Sequence, residues 1–95
     1  MLKAMFEWDP GNLRKIQAHK VKQEEVEHAL INGPILVYSQ DVEGESRFVY
    51  YGETNENRLL AVVVTERGHK IRVVTAYDLD VGQRRDYLKR RVEGE

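Results

Sequence analysis

The chain has no cysteine among its 95 residues, which excludes disulfides, zinc–thiolate sites and thiol nucleophiles. Two prolines in the whole sequence are too few for a Pro-rich linker or a long disordered tract. No apolar run approaches a membrane span, and the N-terminus lacks the apolar core of a signal peptide. These absences predict a soluble, cytoplasmic protein with a single domain over residues 1–95 and one core. His19, His28 and His69 show no metal-ligand spacing, and there is no phosphate loop, glycine fingerprint or Ser-His-Asp grouping. Neither a metal nor a cofactor is therefore expected.

What is present is a charge asymmetry hidden by a net charge of −1. Residues 1–57 contain six Lys/Arg against ten Asp/Glu, whereas residues 58–92 contain nine against four. The last third reads as a strand carrying Lys70 and Arg72, an Asp-led turn, and a helix carrying Arg84, Arg85, Lys89, Arg90 and Arg91. Guanidinium groups concentrated on rigid elements suit a polyanion such as RNA, for which these seven residues are the candidate contacts. A solvated, salt-laced helix end is the alternative reading of the same charges.

The punctuation of the sequence predicts an α+β chain with two N-terminal helices, an antiparallel β-meander and a C-terminal helix. Met5-Phe6-Glu7-Trp8 is a short apolar run suited to an edge strand or a clasp on the core. Asp9-Pro10 opens a helix, with Asp as N-cap and Pro at the first helical position; Leu13, Ile16 and Val21 supply its apolar stripe. A second helix is expected over Gln23 to Ile31, with acids in its first turn and Asn32-Gly33-Pro34 ending it. The period then changes to two: Ile35 to Tyr38, an acidic loop from Asp41 to Glu45, then strands Arg47 to Thr54, Arg58 to Thr65 and Lys70 to Tyr77. The continuously apolar third strand belongs in the centre of the sheet. Asp80 and Gln83 have capping-box spacing for the last helix.

Hairpin parity at Arg67-Gly68-His69 puts Thr65, Arg67, Lys70 and Arg72 on one face, with Ala61, Val63, Val74 and Ala76 behind them. On this reading Arg58, Ile71, Val73, Thr75 and Tyr77 share the opposite face. An arginine inside a strand, as Arg72 is, must pair with an acid, snorkel or bind a ligand. In the last helix Leu88 and Val92 fall on one line with Val81, Arg84 and Arg85 upstream, and Tyr87 points away. Tyr50, Tyr51, Tyr77 and Tyr87 offer rings for stacking on unpaired bases, although tyrosines are also ordinary strand residues.

Taken in order, FEWDPGNLRKIQAHKV, the Glu-rich second helix, GESRFVYYGET, NRLLAVVVTERG, KIRVVTAYD and RRDYLKRR resemble the BrnT family of toxins from type II toxin–antitoxin pairs. The resemblance implies a RelE-like fold and metal-independent endoribonuclease activity, in which a ribose 2′-hydroxyl attacks the adjacent phosphate. Arg72, Arg84 and Arg85 are then the candidates for stabilising the phosphorane, and Tyr77, His19 and Tyr87 for moving protons. The implied partner is a small DNA-binding, BrnA-like antitoxin, in an assembly left open between a homodimer and a toxin–antitoxin heterotetramer. Two positions depart from the family's pattern. Tyr77 stands where members commonly have Arg after Ser/Thr-Ala, and Lys20 where they usually have Gly after the helix histidine. The alternative expectation is a non-catalytic module on the same fold that binds RNA, DNA or a partner protein.

Overall fold

The computed structural model describes residues 5–94. The chain runs β1 (Phe6–Glu7), α1 (Pro10–Ala18), α2 (Gln23–Ile31), β2 (Ile35–Val42), β3 (Glu45–Glu53), β4 (Leu59–Arg67), β5 (Lys70–Asp78) and α3 (Val81–Glu93). All five strands form one sheet in the order β1-β5-β4-β3-β2. β2 to β5 make the expected antiparallel meander. β1 joins β5 in parallel, however, pairing Phe6 with Ile71 and Glu7 with Arg72, so the sheet is mixed. From that edge, α1 and α2 carry the chain across one face of the sheet to β2 at the other edge.

The helix ends follow from local chemistry. Asp9 caps α1, its Oδ1 accepting the Asn12 N–H at 2.9 Å, with Pro10 as the first helical residue. At the other end the Lys20 N–H reaches Gln17 O and the Val21 N–H reaches Ile16 O, the paired bonds of a Schellman motif. Val21 thus lies beyond the helix, and its side chain joins Ile16 in the core. The motif requires a left-handed residue, and Lys20 occupies that place at φ 58°. In α2, the Glu25 carboxylate accepts the Lys22 backbone N–H. In α3, Asp80 and Gln83 exchange both bonds of the capping box.

β2 is longer than its sequence suggests and runs through Asp41 to Val42, where an acidic loop was expected. Glu43 and Gly44 have φ of 52° and 81°, the left-handed pair of a two-residue hairpin turn whose twist matches the strands on either side. That tight turn leaves Asp41 and Glu45 inside the ladder.

Instead of one core, two apolar clusters lie on opposite faces of the sheet. Ile16, Val21, Val26 and Ala29 of the α1–α2 layer pack on Leu60, Val62, Val64, Val73 and Ala76. On the other face Tyr87 and Leu79 pack with Val49, Tyr51 and Ala61. β4 is the middle strand and contributes to both, as its unbroken apolar run predicts. Gly52 on β3 lets α2 approach closely, since a Cβ there would collide with the Ala29 carbonyl oxygen.

α3 is rotated relative to its expected orientation. Tyr87 is its fully buried residue, whereas Val81, Leu88 and Val92 are exposed. The helix has one large side chain on its sheet-facing line, and filling the second cluster with that ring buries more area than any valine would. Among the described residues, no helix is long and apolar enough to cross a membrane.

Candidate functional site

A bulge in β5 decides which residues share a face. Val64 pairs with Val73 and Val63 with Thr75, so Val74 is an extra residue between them. One inserted residue reverses the alternation on its far side. Ile71 and Val73 accordingly face the α1–α2 layer, as does Ala76, while Arg72, Thr75 and Tyr77 all face the α3 side. The expected separation of Arg72 from Tyr77 is therefore corrected. Simple hairpin parity holds from the tip only as far as Val73.

Registers across the sheet then define rows on the α3 face. One row runs Gln40, Arg47, Thr65, Arg72 and Glu7 through all five strands. Another places Tyr51 and Tyr77 on either side of Ala61. Thr65, Val63 and Ala61 form a line along β4, the trough, between β3 and β5 side chains, and Thr65 and Ala61 in it are buried. Arginines stand at one end and tyrosines at the other. The Cα atoms of Arg47 and Arg72 are roughly 10 Å apart, two inter-strand spacings, and the arginine and tyrosine rows about 13 Å apart, four residues along a strand. The residues packed with Tyr87 gather at the tyrosine end.

Each wall arginine has one acidic neighbour. Arg47 Nε contacts Glu45 Oε1 at 3.2 Å, and Arg72 Nη2 contacts Asp9 Oδ2 at 3.0 Å. The Asn12 N–H and then Arg72 hold the Asp9 carboxyl below its ordinary value. Arg72 gives Asp9 a single nitrogen, and its remaining donors have no protein partner among the described residues. Thr65 is buried between the two, its hydroxyl donating to Ser46 O. In the β1–α1 segment beside Arg72, Glu7 Oε1 and Asn12 Oδ1 are buried acceptors without a protein donor among the described residues.

At the tyrosine end the Tyr77 ring lies 5.8 Å from that of His19, tilted by 52°. Beside it Arg58 grips Asp78 with two nitrogens, at 2.7 and 2.9 Å, and also reaches Glu25 and Lys20 O, each at 3.0 Å. The Arg58 contact holds the Asp78 carboxyl below its ordinary value, with the nearby charges of Arg84 and His19 assisting. Asp78 in turn holds the Arg58 guanidinium more firmly protonated than usual. Arg58 therefore braces the α1–α2 corner against the end of β5.

The residues singled out from sequence divide into groups. Arg72 and Lys70 share the arginine end of the trough, and Tyr77 and His19 meet at the other. Arg84 lies nearby, its Nε bonded to Leu79 O at 3.3 Å. Arg85 and Lys89 are exposed on α3 and are not brought to the trough. Arg90 pairs with Asp86, and Arg91 contacts Glu53 and the Tyr87 hydroxyl. Tyr87 is buried in the cluster beneath α3 and presents no ring for stacking. Arg47 did not stand out from the sequence as a site residue. The available signal was its alternation with Val49 and Tyr51, but only the β3–β4 register sets it opposite Thr65. Among the described residues, no three histidine or acidic side chains are grouped to hold a metal ion.

Residues 8–81 match the family model described as the ribonuclease toxin, BrnT, of type II toxin–antitoxin systems. No curated protein matches the chain.

Proposed function

The chain belongs to the BrnT family of type II ribonuclease toxins, and from that premise we propose that it cleaves single-stranded RNA in the trough along β4. Family membership implies an antitoxin partner and an RNA target. We read the fold as RelE-like and residues 1–95 as one toxin domain acting in the cytoplasm. The observation that carries the reading is the Arg47–Thr65–Arg72 row, two half-buried guanidinium groups on either side of a buried threonine on one sheet face.

In the proposed reaction a ribose 2′-oxygen bonds to the adjacent phosphorus and the bond from phosphorus to the 5′-oxygen breaks. The products are a 2′,3′-cyclic phosphate and a 5′-hydroxyl. Negative charge grows on the phosphoryl oxygens in the transition state, where fixed guanidinium donors stabilise it most. The 2′-hydroxyl loses a proton and the 5′-oxygen gains one. His19, the C-cap of α1, and Tyr77 are in ring contact about 13 Å along the strands from the arginine row, so they serve these transfers for a phosphate drawn between the two ends, toward which the arginine side chains extend. Lys70 and Arg84 extend the positive rim along the RNA backbone. The chemistry uses side chains of this chain and no metal ion. Tyr77, at a position where the family commonly has arginine, favours a second reading in which RNA binds but is not cut.

The test is to incubate the purified chain with single-stranded RNA at low salt in the presence of EDTA and to identify the product ends by mass spectrometry. Cyclic phosphate and 5′-hydroxyl ends are expected, with an Arg72→Ala chain slower by about a hundredfold or more and unchanged in circular dichroism. Intact RNA with a folded chain would end the cleavage reading. Salt-dependent binding without cleavage would select the second.

A further inference from the structure

Helix α3 turns toward solvent the residues that an amphipathic helix ordinarily buries. Val81, Leu88 and Val92 are 71%, 57% and 76% exposed. Spaced seven and four residues apart, they line one flank of the helix, with Arg85 on the same line. Arg85 and Lys89 are both exposed beside this stripe. The acid in mid-helix, Asp86, is engaged by Arg90 at 3.0 Å. The surface is therefore an apolar strip edged by Arg85 and Lys89, with Glu93 one turn beyond Lys89, on a helix held to the body by Tyr87.

We propose that this outer flank of α3 is a docking site for an acidic amphipathic segment of the cognate antitoxin. The identity of the partner class rests on the family reading above; the choice of surface does not. An RNA backbone would neutralise Arg85 and Lys89 but leave three exposed aliphatic side chains in water. A second copy docked flank to flank would set Arg85 and Lys89 against their own counterparts. A lipid surface calls for a broader apolar face, anchored by aromatic or several large aliphatic residues, and this stripe is two valines and a leucine wide. A helix carrying apolar residues on one line and Asp or Glu beside them meets both requirements, with aliphatic contacts supplying affinity and acids supplying steering and register. The family match ends at residue 81, the first residue of α3. Val81 is the last matched residue, and Leu88 and Val92 lie beyond it.

The test is calorimetric titration of the full-length chain with its full-length cognate antitoxin. The triple variant Val81→Ser/Leu88→Ser/Val92→Ser removes the stripe at positions already in solvent, so circular dichroism and melting should not change. Its Kd should rise by at least about tenfold, the effect of losing one well-buried interface anchor or more. A charge variant, Arg85→Glu/Lys89→Glu, should slow association and weaken its salt dependence. RNA cleavage by the triple variant should persist and resist inhibition by antitoxin that silences the unmodified chain. Loss of antitoxin binding in the triple variant supports the docking site even if neither form cleaves RNA, an outcome that removes only the cleavage reading. Unaltered affinity of the triple variant overturns the proposal, as does failure of the unmodified chain to bind. Stripe-dependent binding to phosphatidylglycerol vesicles, or a stripe-dependent dimer of the chain alone, overturns it by assigning the surface elsewhere.

Discussion

Arg47 and Arg72 stand on either side of Thr65 in one row across the sheet, each restrained by a single carboxylate. Neither is near the other in sequence, and the antiparallel registers alone bring them together. If both hold the same phosphoryl group, Arg47→Ala should slow RNA cleavage by about a hundredfold, as removal of a transition-state donor does. The double substitution with Arg72→Ala should cost less than the product of the two single effects, because the residues act as a unit. Fully multiplicative losses in single-turnover rates would separate their roles.

Tyr77→Phe keeps the ring beside His19 and removes only the hydroxyl. A proton-transfer role for that hydroxyl predicts a loss of about 10²- to 10⁴-fold in the chemical step with little change in RNA affinity. An unchanged rate would leave His19 to act without it.

Lys20 holds the left-handed position of the Schellman motif at φ 58°, a conformation that costs an L-residue about 1–2 kcal/mol and glycine almost nothing. Lys20→Gly should stabilise the chain by about 0.5–1 kcal/mol after the extra unfolded-state entropy of glycine is subtracted. Arg58 contacts the carbonyl of Lys20 rather than its side chain, so that brace should survive. Urea unfolding gives the answer through a raised midpoint at constant slope.

The Asp9 and Asp78 carboxyls both lose their protons below the ordinary aspartate value of 3.8 in the folded chain. A carboxylate lowered on folding stabilises the native state fully above its unfolded value and loses that contribution as pH falls through the folded one. The melting temperature should therefore not decline on account of these groups between about pH 7 and pH 5, and should fall below about pH 4. Asp78→Asn should melt lower at neutral pH and show a shallower acid decline. Equal acid slopes in the two chains would show that Asp78 is not a source of the decline.

Much of this architecture was legible because punctuation is local. Asp9-Pro10, Asn32-Gly33-Pro34, Asp80 with Gln83, and the apolar run of β4 each fixed an element by chemistry within a few residues. Three features depended on distant partners and were not legible. The Val74 bulge has no glycine or other marker in the chain, yet it moves Tyr77 to the face of Arg72. The outward turn of Leu88 reflects the better fit of the Tyr87 ring in a pocket built by β3 and β4. Arg47 entered the site only through the β3–β4 register, set at the turn from Thr54 to Arg58.

The parallel pairing of Phe6–Glu7 with Ile71–Arg72 has a temporal consequence. The three hairpins of the meander close over short stretches of chain, whereas β1 must wait for a strand about sixty-five residues later in the sequence, and long-separation contacts form slowly. During synthesis, Asp9 cannot meet Arg72 until nearly the whole polypeptide has emerged. The arginine end of the trough is thus expected to be the last part of the molecule to set.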